Sequence, residues 1–328
     1  MRVAVTGLGF GELHVRSLLK IENVESIVIC DKDENRLREV SHKYSIEKWS
    51  TSYEEILSDD TIEVVTLAVP HHLHRPMVEK ALQSNKHVYC EKPLTIKFSD
   101  AEELVRMAEE RHLALTVGFN MRYYKQYQRA FSMIDAGLIG RVFLVECFAR
   151  ADARGLQGFR LKKEEAGGGC LIDSGAHRFD LIRWLFGPVE SVYTRAGTYV
   201  VDKMEGEDTA LVSMRFQSGA IGSLTCSWGT YVPPWDEGMR IYGTRGSIFI
   251  WDHDLSFCFR NCAGEEEIQK YRVSYEDSIA LSLKDFLEQV EKGNLEVDRV
   301  KTLAHLQLIE ASYESWEKSL PVEINNSI

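Results

Sequence analysis

The sequence predicts an α/β protein in two parts. Residues 1–119 are expected to form a parallel sheet flanked by helices, and residues 120–328 an α+β domain on a large, mostly antiparallel open sheet. Three observations point there. Short β-rich runs alternate with amphipathic stretches in the first part, which requires crossover connections and hence parallel strands. After Gly118 the runs lengthen, alternate apolar with polar residues and follow one another with little helix between them, as half-buried antiparallel strands do. At 328 residues the chain also exceeds a typical single domain.

In chain order, the strand-like runs of the first part are Val3 to Thr6, Ser26 to Cys30, Val64 to Val69, His87 to Cys90 and Ala114 to Gly118. Helices are read between them at Pro76 to Leu82 and at Asp100 to Arg111, where Leu104, Val105 and Ala108 share one face. The second part reads as strands at Arg141 to Arg150, Val189 to Val201, Thr209 to Phe216, Ala220 to Trp228, Met239 to Tyr242 and Ser247 to Trp251, with a hairpin turn at Gln217-Ser218-Gly219. The tail returns to helix at Ser278 to Glu291 and Arg299 to Trp316. There Val300, Leu303, Ala304, Leu308 and Ala311 recur at helical spacing.

The formal charge of −11, with no run of Lys or Arg to override it, argues against a nucleic-acid face and for a small-molecule partner. Val64 to Val69 is far too short to span a bilayer, and Met1 leads straight into a strand-like run that leaves no room for a signal peptide. A cytoplasmic protein with no membrane partner is expected. Seven scattered cysteines fit reduced thiols. Cys258 and Cys262 are the only close pair, and no second pair at ligand spacing joins them, so no metal is expected.

Gly7-x-Gly9-x-Gly11 follows the first strand and leads into a helical stretch. Glycines there permit a tight turn and close backbone approach, so that a pyrophosphate can sit on a helix N-terminus. The spacing departs from G-x-G-x-x-G, because Glu12 stands where the third glycine belongs and Gly11 comes one position early. Either the loop is one residue shorter, or Glu12 turns outward. Asp31 ends the second strand about twenty residues on, where an acid hydrogen-bonds ribose hydroxyls. Its carboxylate would repel a 2′-phosphate, which favours NAD, with NADP as the alternative because Lys32 and Arg36 are close by. Asp31 also reads as the N-cap of a helix beginning near Glu34.

Two further constellations carry charge. Lys92, in Cys90-Glu91-Lys92-Pro93, stands at the end of an apolar strand that Pro93 terminates, and open α/β sheets bind ligands at that end of their strands. Asp173 and His177, four apart in the run that begins Gly167-Gly168-Gly169, share one helical face. A carboxylate that orients an imidazole can move a hydroxyl proton. Each also has a plain structural reading: Lys92 as a surface lysine, Asp173 and His177 as groups that cap and satisfy each other.

Together these motifs resemble the glucose-fructose oxidoreductase/inositol dehydrogenase/MocA (Gfo/Idh/MocA) family over nearly the whole chain. Val69-Pro70-His71-His72-Leu73-His74 is similar to its T-P-N-x-x-H turn, Glu91-Lys92-Pro93 matches its E-K-P, and Gly167 to Asp180 matches its G-G-G-x-x-x-D-x-G-x-H-x-x-D. Asp135 to Gly140, Glu310 to Tyr313 and Pro321 to Ile324 fit as well. The resemblance implies an N-terminal Rossmann domain for NAD(P) and a C-terminal sheet domain that forms homodimers or homotetramers. It implies that Gly7, Gly9, Phe10, Gly11, Asp31, Val69, Pro70, His71, His74, Glu91 and Lys92 face the cofactor. Lys92 would stand at the reacting carbinol, His177 would be the acid/base group, and Asp173 would support it or bind substrate. Histidine in place of asparagine at His71, and the early Gly11, are departures from the family pattern.

The activity so implied is NAD(P)-dependent hydride transfer at a secondary hydroxyl of a sugar, cyclitol or derivative. The alternatives are a redox-neutral glycosidase that retains its NAD and a non-catalytic sugar- or nucleotide-sensing regulator. Candidate substrate contacts are Arg122 and Tyr123, the Arg150 to Arg154 loop, Arg160 and the Tyr231 to Trp235 stretch. Arginines suit a carboxylate or phosphate, and Trp235 suits a sugar face.

Overall fold

A computed structural model describes residues 1–231, 236–252, 256–271, 274–326 and 328. The chain forms two compact units, one of Met1–Asn120 with Ser274–Thr302, the other of Met121–Val273 with Leu303–Ile328.

The first unit holds β1 (Arg2–Thr6), α1 (Gly11–Leu18), β2 (Ser26–Cys30), α2 (Glu34–Tyr44), β3 (Lys48–Ser50), α3 (Tyr53–Ser58), β4 (Val64–Leu67), α4 (His71–Gln83), β5 (His87–Cys90), α5 (Phe98–Glu110) and β6 (Leu115–Val117). Its six strands are all parallel, in the order β3-β2-β1-β4-β5-β6. That is the Rossmann order, with its switch point between β1 and β4. β1 from Val3 onward and all of β4 are buried, as strands of a parallel sheet covered by helices are. β3 escaped the sequence reading, since three residues with one apolar member carry no period. α4 begins at His71 and runs through Pro76, so the proline marks its second turn and not its start.

A helix far along the chain completes this unit. On α9 (Tyr275–Glu291), Ile279, Leu283, Phe286 and Leu287 join a buried cluster with Val15 and Leu18 of α1. Each fully buried side chain of this size contributes about 1.5–3 kcal/mol. Tyr89 donates to Ser282 Oγ at 3.0 Å, Asn120 donates to Ser278 Oγ at 2.7 Å, and Ser274 with Asp277 closes a capping box at the helix start.

The second unit holds α6 (Lys125–Asp135), β7 (Val142–Arg150), α7 (Lys163–Ala166), α8 (Cys170–Phe186), β8 (Val189–Gly197), β9 (Thr209–Phe216), β10 (Ile221–Ser227), β11 (Asp236–Gly243), β12 (Gly246–Trp251), β13 (Ser256–Asn261), β14 (Glu266–Lys270) and β15 (Val322–Glu323). α10 (Arg299–Lys318) runs through both units. The nine strands are ordered β14-β13-β12-β11-β7-β10-β9-β8-β15. Among the described residues only the β7–β10 pair is parallel. On β9, Ala210, Val212, Met214 and Phe216 are buried while the residues between them look outward, the alternation read from the sequence. β8 stops at Gly197, four residues short of the sequence expectation. Beyond it the N–H groups of Tyr199, Val200 and Val201 all donate to one oxygen of the Asp208 carboxylate, which turns a valine-rich run into a tight loop.

α8 packs on β7, β9 and β10, and its start is held unusually tightly. The Glu207 carboxylate accepts N–H bonds from Gly169 at 3.1 Å and Leu171 at 2.8 Å and the Tyr313 hydroxyl at 3.0 Å, while Cys170 N–H donates to the Glu207 carbonyl at 2.8 Å. A buried anion thus satisfies donors that a helix N-terminus leaves open. The glycine run makes this possible, because a Cβ on Gly169 would lie 1.8 Å from the Glu207 carbonyl oxygen. What approaches Gly168 and Gly169 is protein, the Tyr313 side chain at the first and the Glu207 backbone at the second. Gly169→Ala is therefore expected to cost at least about 1–3 kcal/mol in urea denaturation, with Gly155→Ala, whose Cβ meets nothing within 4 Å, as a near-neutral control.

Candidate functional site

In the first unit the sequence-predicted residues gather at the carboxyl ends of β1, β2, β4 and β5, around the switch point. The three loop glycines do three different jobs. Gly7 turns the chain at φ +87°, and a Cβ there would stand 2.5 Å from the Ala68 carbonyl oxygen and 2.8 Å from Val69 Cγ1. Gly11 lets α1 lie on the sheet, its absent Cβ 3.1 Å from Val5 Cγ1 and 3.3 Å from Ala68 Cβ. Over Gly9 nothing lies within 4 Å of a Cβ position, so this backbone is open to a ligand. Tight turn, ligand approach and helix–strand contact are the roles of the glycines in a dinucleotide loop. Gly11 fills the third one residue early, so the loop is one residue shorter than G-x-G-x-x-G. Phe10 beside it packs edge-on against Tyr275 of α9, ring centroids 6.3 Å apart, a neighbour no local signal could announce.

Glu12 also turns outward. Its carboxylate accepts Lys43 Nζ at 2.7 Å and Tyr44 Oη at 2.6 Å and pairs with the Arg36 guanidinium. The Lys43 hydrogen bond, followed by that from Tyr44, holds its pKa down to about 2. Asp31 is not a helix cap: that place is taken by Asp33, which accepts from the N–H groups of Asn35 and Arg36. Asp31 instead receives Leu8 N–H at 2.6 Å and Asp33 N–H at 3.0 Å, tying the end of β2 to the glycine loop.

Across the switch point, Val69 and Pro70 lead from β4 into α4, where His71 and His74 are buried. His74 sets Nε2 2.8 Å from the Val69 carbonyl oxygen and Nδ1 2.6 Å from that of Pro93, linking the turns after β4 and β5. Burial pushes its pKa below the usual imidazole range against the pull of the two carbonyls. The backbone of Glu91 stays with β4 through a 2.9 Å bond to the Leu67 carbonyl, which leaves Lys92 half-buried on the turn beyond. The Glu91 side chain is 2.9 Å from His14 Nε2. A carboxylate only accepts, so that nitrogen carries a proton. His14 was missed in the sequence, although it shares the buried stripe of α1 with Gly11, Val15 and Leu18.

In the second unit α8 carries Asp173 and His177, both largely buried. Asp173 accepts Arg160 Nε at 2.5 Å. Arg122 is bidentate on Asp180, with Nη2–Oδ1 at 2.6 Å and Nε–Oδ2 at 2.9 Å, and its guanidinium lies 5.7 Å from the Trp184 ring centre. Tyr123 ends the short 3-10 turn Asn120–Tyr123 and is half-buried. Trp235 lies outside the described residues. Among the described residues, no group of three or more His, Cys, Asp or Glu is placed to hold a metal ion, and no helix is long and apolar enough to cross a membrane.

Residues 1–119 match the oxidoreductase family with an NAD-binding Rossmann fold, and residues 127–249 match the GFO/IDH/MocA C-terminal domain. The chain belongs to the GFO/IDH/MocA oxidoreductase family. It is similar to the myo-inositol 2-dehydrogenase of Thermotoga maritima, 28% identical over 89% of each chain. It also resembles the NAD(+) scyllo-inositol 2-dehydrogenase of Bacillus subtilis, 27% identical over 99% of this chain and 96% of that one. Among solved structures, levoglucosan dehydrogenase in complex with NADH and levoglucosan superposes with a TM-score of 0.92 at 20% identity, over 99% of this chain and 100% of that one, a likeness of fold. The protein is thus an oxidoreductase of the GFO/IDH/MocA family with an NAD-binding N-terminal unit.

The charged contacts around Glu12 give a stability prediction with a defined sign. A carboxyl whose folded pKa is depressed adds stability above its ordinary pKa and loses it as the pH falls toward the folded value. Glu12→Gln should therefore destabilise the protein by about 1–3 kcal/mol at pH 7. In urea titrations the difference should hold down to pH 4.5 and then shrink as the pH falls toward 2. An unchanging difference across that range would assign the effect to packing.

Proposed function

We propose that the protein oxidises a secondary hydroxyl of a neutral sugar or cyclitol, or reduces the corresponding ketone, with NAD as redox partner. The observation that carries this reading is the glycine loop, whose three positions are crowded, open and crowded in the order a dinucleotide requires. Asp31 at the end of β2 supports NAD, since a carboxylate suits ribose hydroxyls and repels a 2′-phosphate. Gly7, Gly9, Phe10, Gly11, Val69, Pro70, His71, His74 and Glu91 would shape the rest of the cofactor site.

When bound, NAD supplies the two-electron acceptor. Lys92 would hold the substrate hydroxyl and stabilise the negative charge that develops on its oxygen. His177 would take the hydroxyl proton, and Asp173, kept in place by Arg160, would accept a hydrogen bond from substrate or support the imidazole.

The restriction to neutral substrates rests on the arginines. Arg122 pairs with Asp180, Arg150 with Asp236, Arg154 with Asp152 and Arg160 with Asp173. Each positive charge singled out as a carboxylate or phosphate reader is already balanced by an acid. Such pairs suit hydroxyl groups, which both donate and accept, better than they suit another anion. Assembly as a homodimer or homotetramer through the outward face of the large sheet is part of the same proposal, supported by Leu211 and Ile221, which are 51% and 58% exposed there. A monomer in sedimentation would remove that part.

The test is reduction of NAD+ by the purified protein against cyclitols, aldoses, sugar acids and sugar phosphates, with NADP+ in parallel. Turnover is expected with a neutral member and NAD+. Lys92→Ala should lower kcat by about 10²–10³-fold while NAD+ affinity stays close to that of the parent. His177→Ala should change the pH profile of kcat. Equal rates in Lys92→Ala would sink the mechanism, and silence across the panel with nucleotide still bound would turn the reading toward a redox-neutral glycosidase or a sensor.

A further inference from the structure

We propose that Glu12 is a specificity-determining residue for the cofactor: by drawing Arg36 onto its own carboxylate, it withholds that guanidinium from a 2′-phosphate and keeps the protein selective for NAD. This rests on the NAD-dependent reading above and adds to it the device that sets the preference.

The arrangement begins with an unusual placement. Glu12 is an acid in the first turn behind the glycine loop, and Arg36 stands in the first turn of α2, five residues beyond Asp31. An arginine near the acid at the end of β2 is the residue type that accommodates a 2′-phosphate in NADP-binding members of this fold class. Here every nitrogen of that guanidinium is already engaged. Nε donates to the Leu8 carbonyl at 3.1 Å, Nη1 to Glu39 at 2.7 Å, and Nη2 to Glu12. Binding a phosphate bidentately needs two parallel N–H groups on one edge; the Nε edge of Arg36 is already taken by the Leu8 carbonyl, and the carboxylates of Glu12 and Glu39 balance its charge.

Glu12 is in turn fixed from its far side by Lys43 and Tyr44, so it does not follow Arg36 if the arginine swings away. The low pKa of Glu12 keeps this anchor charged throughout the physiological range. Leu8, the residue after Gly7, is held by both its backbone groups, its N–H by Asp31 and its carbonyl by Arg36. The same guanidinium that could read a 2′-phosphate therefore braces the shortened loop. Glu39 holds the other arm but is 61% exposed, and a surface pair of this kind yields readily, which leaves Glu12 as the decisive partner.

The experiment measures NAD+ and NADP+ affinities by isothermal titration for the parent, Glu12→Gln, Arg36→Met and the double variant, with thermal melts to establish folding. In Glu12→Gln the NAD+ over NADP+ affinity ratio should fall by about tenfold, the scale of one charge-assisted hydrogen bond between Arg36 and the 2′-phosphate. The double variant should restore the parental ratio, because the added NADP+ affinity comes from Arg36. Arg36→Met alone should change the ratio by less than about twofold, since the parent withholds that arginine. An unchanged ratio in Glu12→Gln, or a lowered ratio that persists in the double variant, would overturn the proposal. If Glu12→Gln does not fold, Arg36→Met decides: a selective loss of NADP+ affinity there would show that Arg36 already serves the 2′-phosphate, against the proposal. A parent that binds neither nucleotide would defeat the NAD reading and this inference together. A parent that binds NAD+ and gives an invariant ratio would defeat the inference alone.

Discussion

The carbonyl of Ala68 lies so close to Gly7 that no side chain fits between them, and the organisation of the first unit follows from that contact. It joins the end of β1 to the end of β4, the two parallel strands where the strand order reverses, and it holds through 2.9 Å and 2.8 Å backbone bonds, Ala68 N–H to Thr6 and Gly7 N–H to Cys30. Any side chain at Gly7 would have to push β4 away or abandon a left-handed turn that only glycine adopts without strain. With that corner fixed, Asp31 can reach Leu8, α1 can settle on Val5 and Ala68 through Gly11, and the backbone of Gly9 is left facing open space. The deletion of one residue relative to the usual loop is absorbed without losing any of the three glycine roles.

The second unit uses the same physical device for a different end. Glycine at 169 admits the backbone of Glu207, and the Glu207 carboxylate then occupies the N-terminus of α8. Burial raises the pKa of that carboxyl, against the N–H groups and the Tyr313 hydroxyl that favour its charged form. The helix it anchors bears Asp173 and His177. The glycine run is thus a packing joint that orients the helix from which the polar groups project. Its acid comes from a segment more than thirty residues away, which is why spacing within the glycine run could not reveal it.

The parts of the fold that local pattern governs were legible. Alternation on β9 and the apolar runs of β1 and β4 report burial on one face or two, and the change of period after Gly118 marks the change of sheet. Elements whose stability comes from distant partners were not. β3 is three residues long, β15 only two, and α9 gives no sign that its apolar face belongs with α1. Among the candidate site residues, the places of the loop glycines, of Asp31 at the end of β2 and of the Glu91-Lys92 turn could be read because sharp backbone geometry restricts residue choice. The contacts of His14 and Glu207 could not, because each is defined by a partner remote in sequence, and the acids that pair with the candidate arginines were hidden for the same reason.

The shortened loop as a working dinucleotide cradle is tested most directly by Gly9→Val, measured by calorimetric titration with NAD+ and by thermal melting. A Cβ at Gly9 meets no protein atom within 4 Å, so the melting temperature should stay within a degree or two of the parent. The same side chain would fill the space a pyrophosphate needs, so NAD+ affinity should fall by at least about a hundredfold. A Gly9→Val protein that melts like the parent and binds NAD+ equally well would contradict this placement of the cofactor.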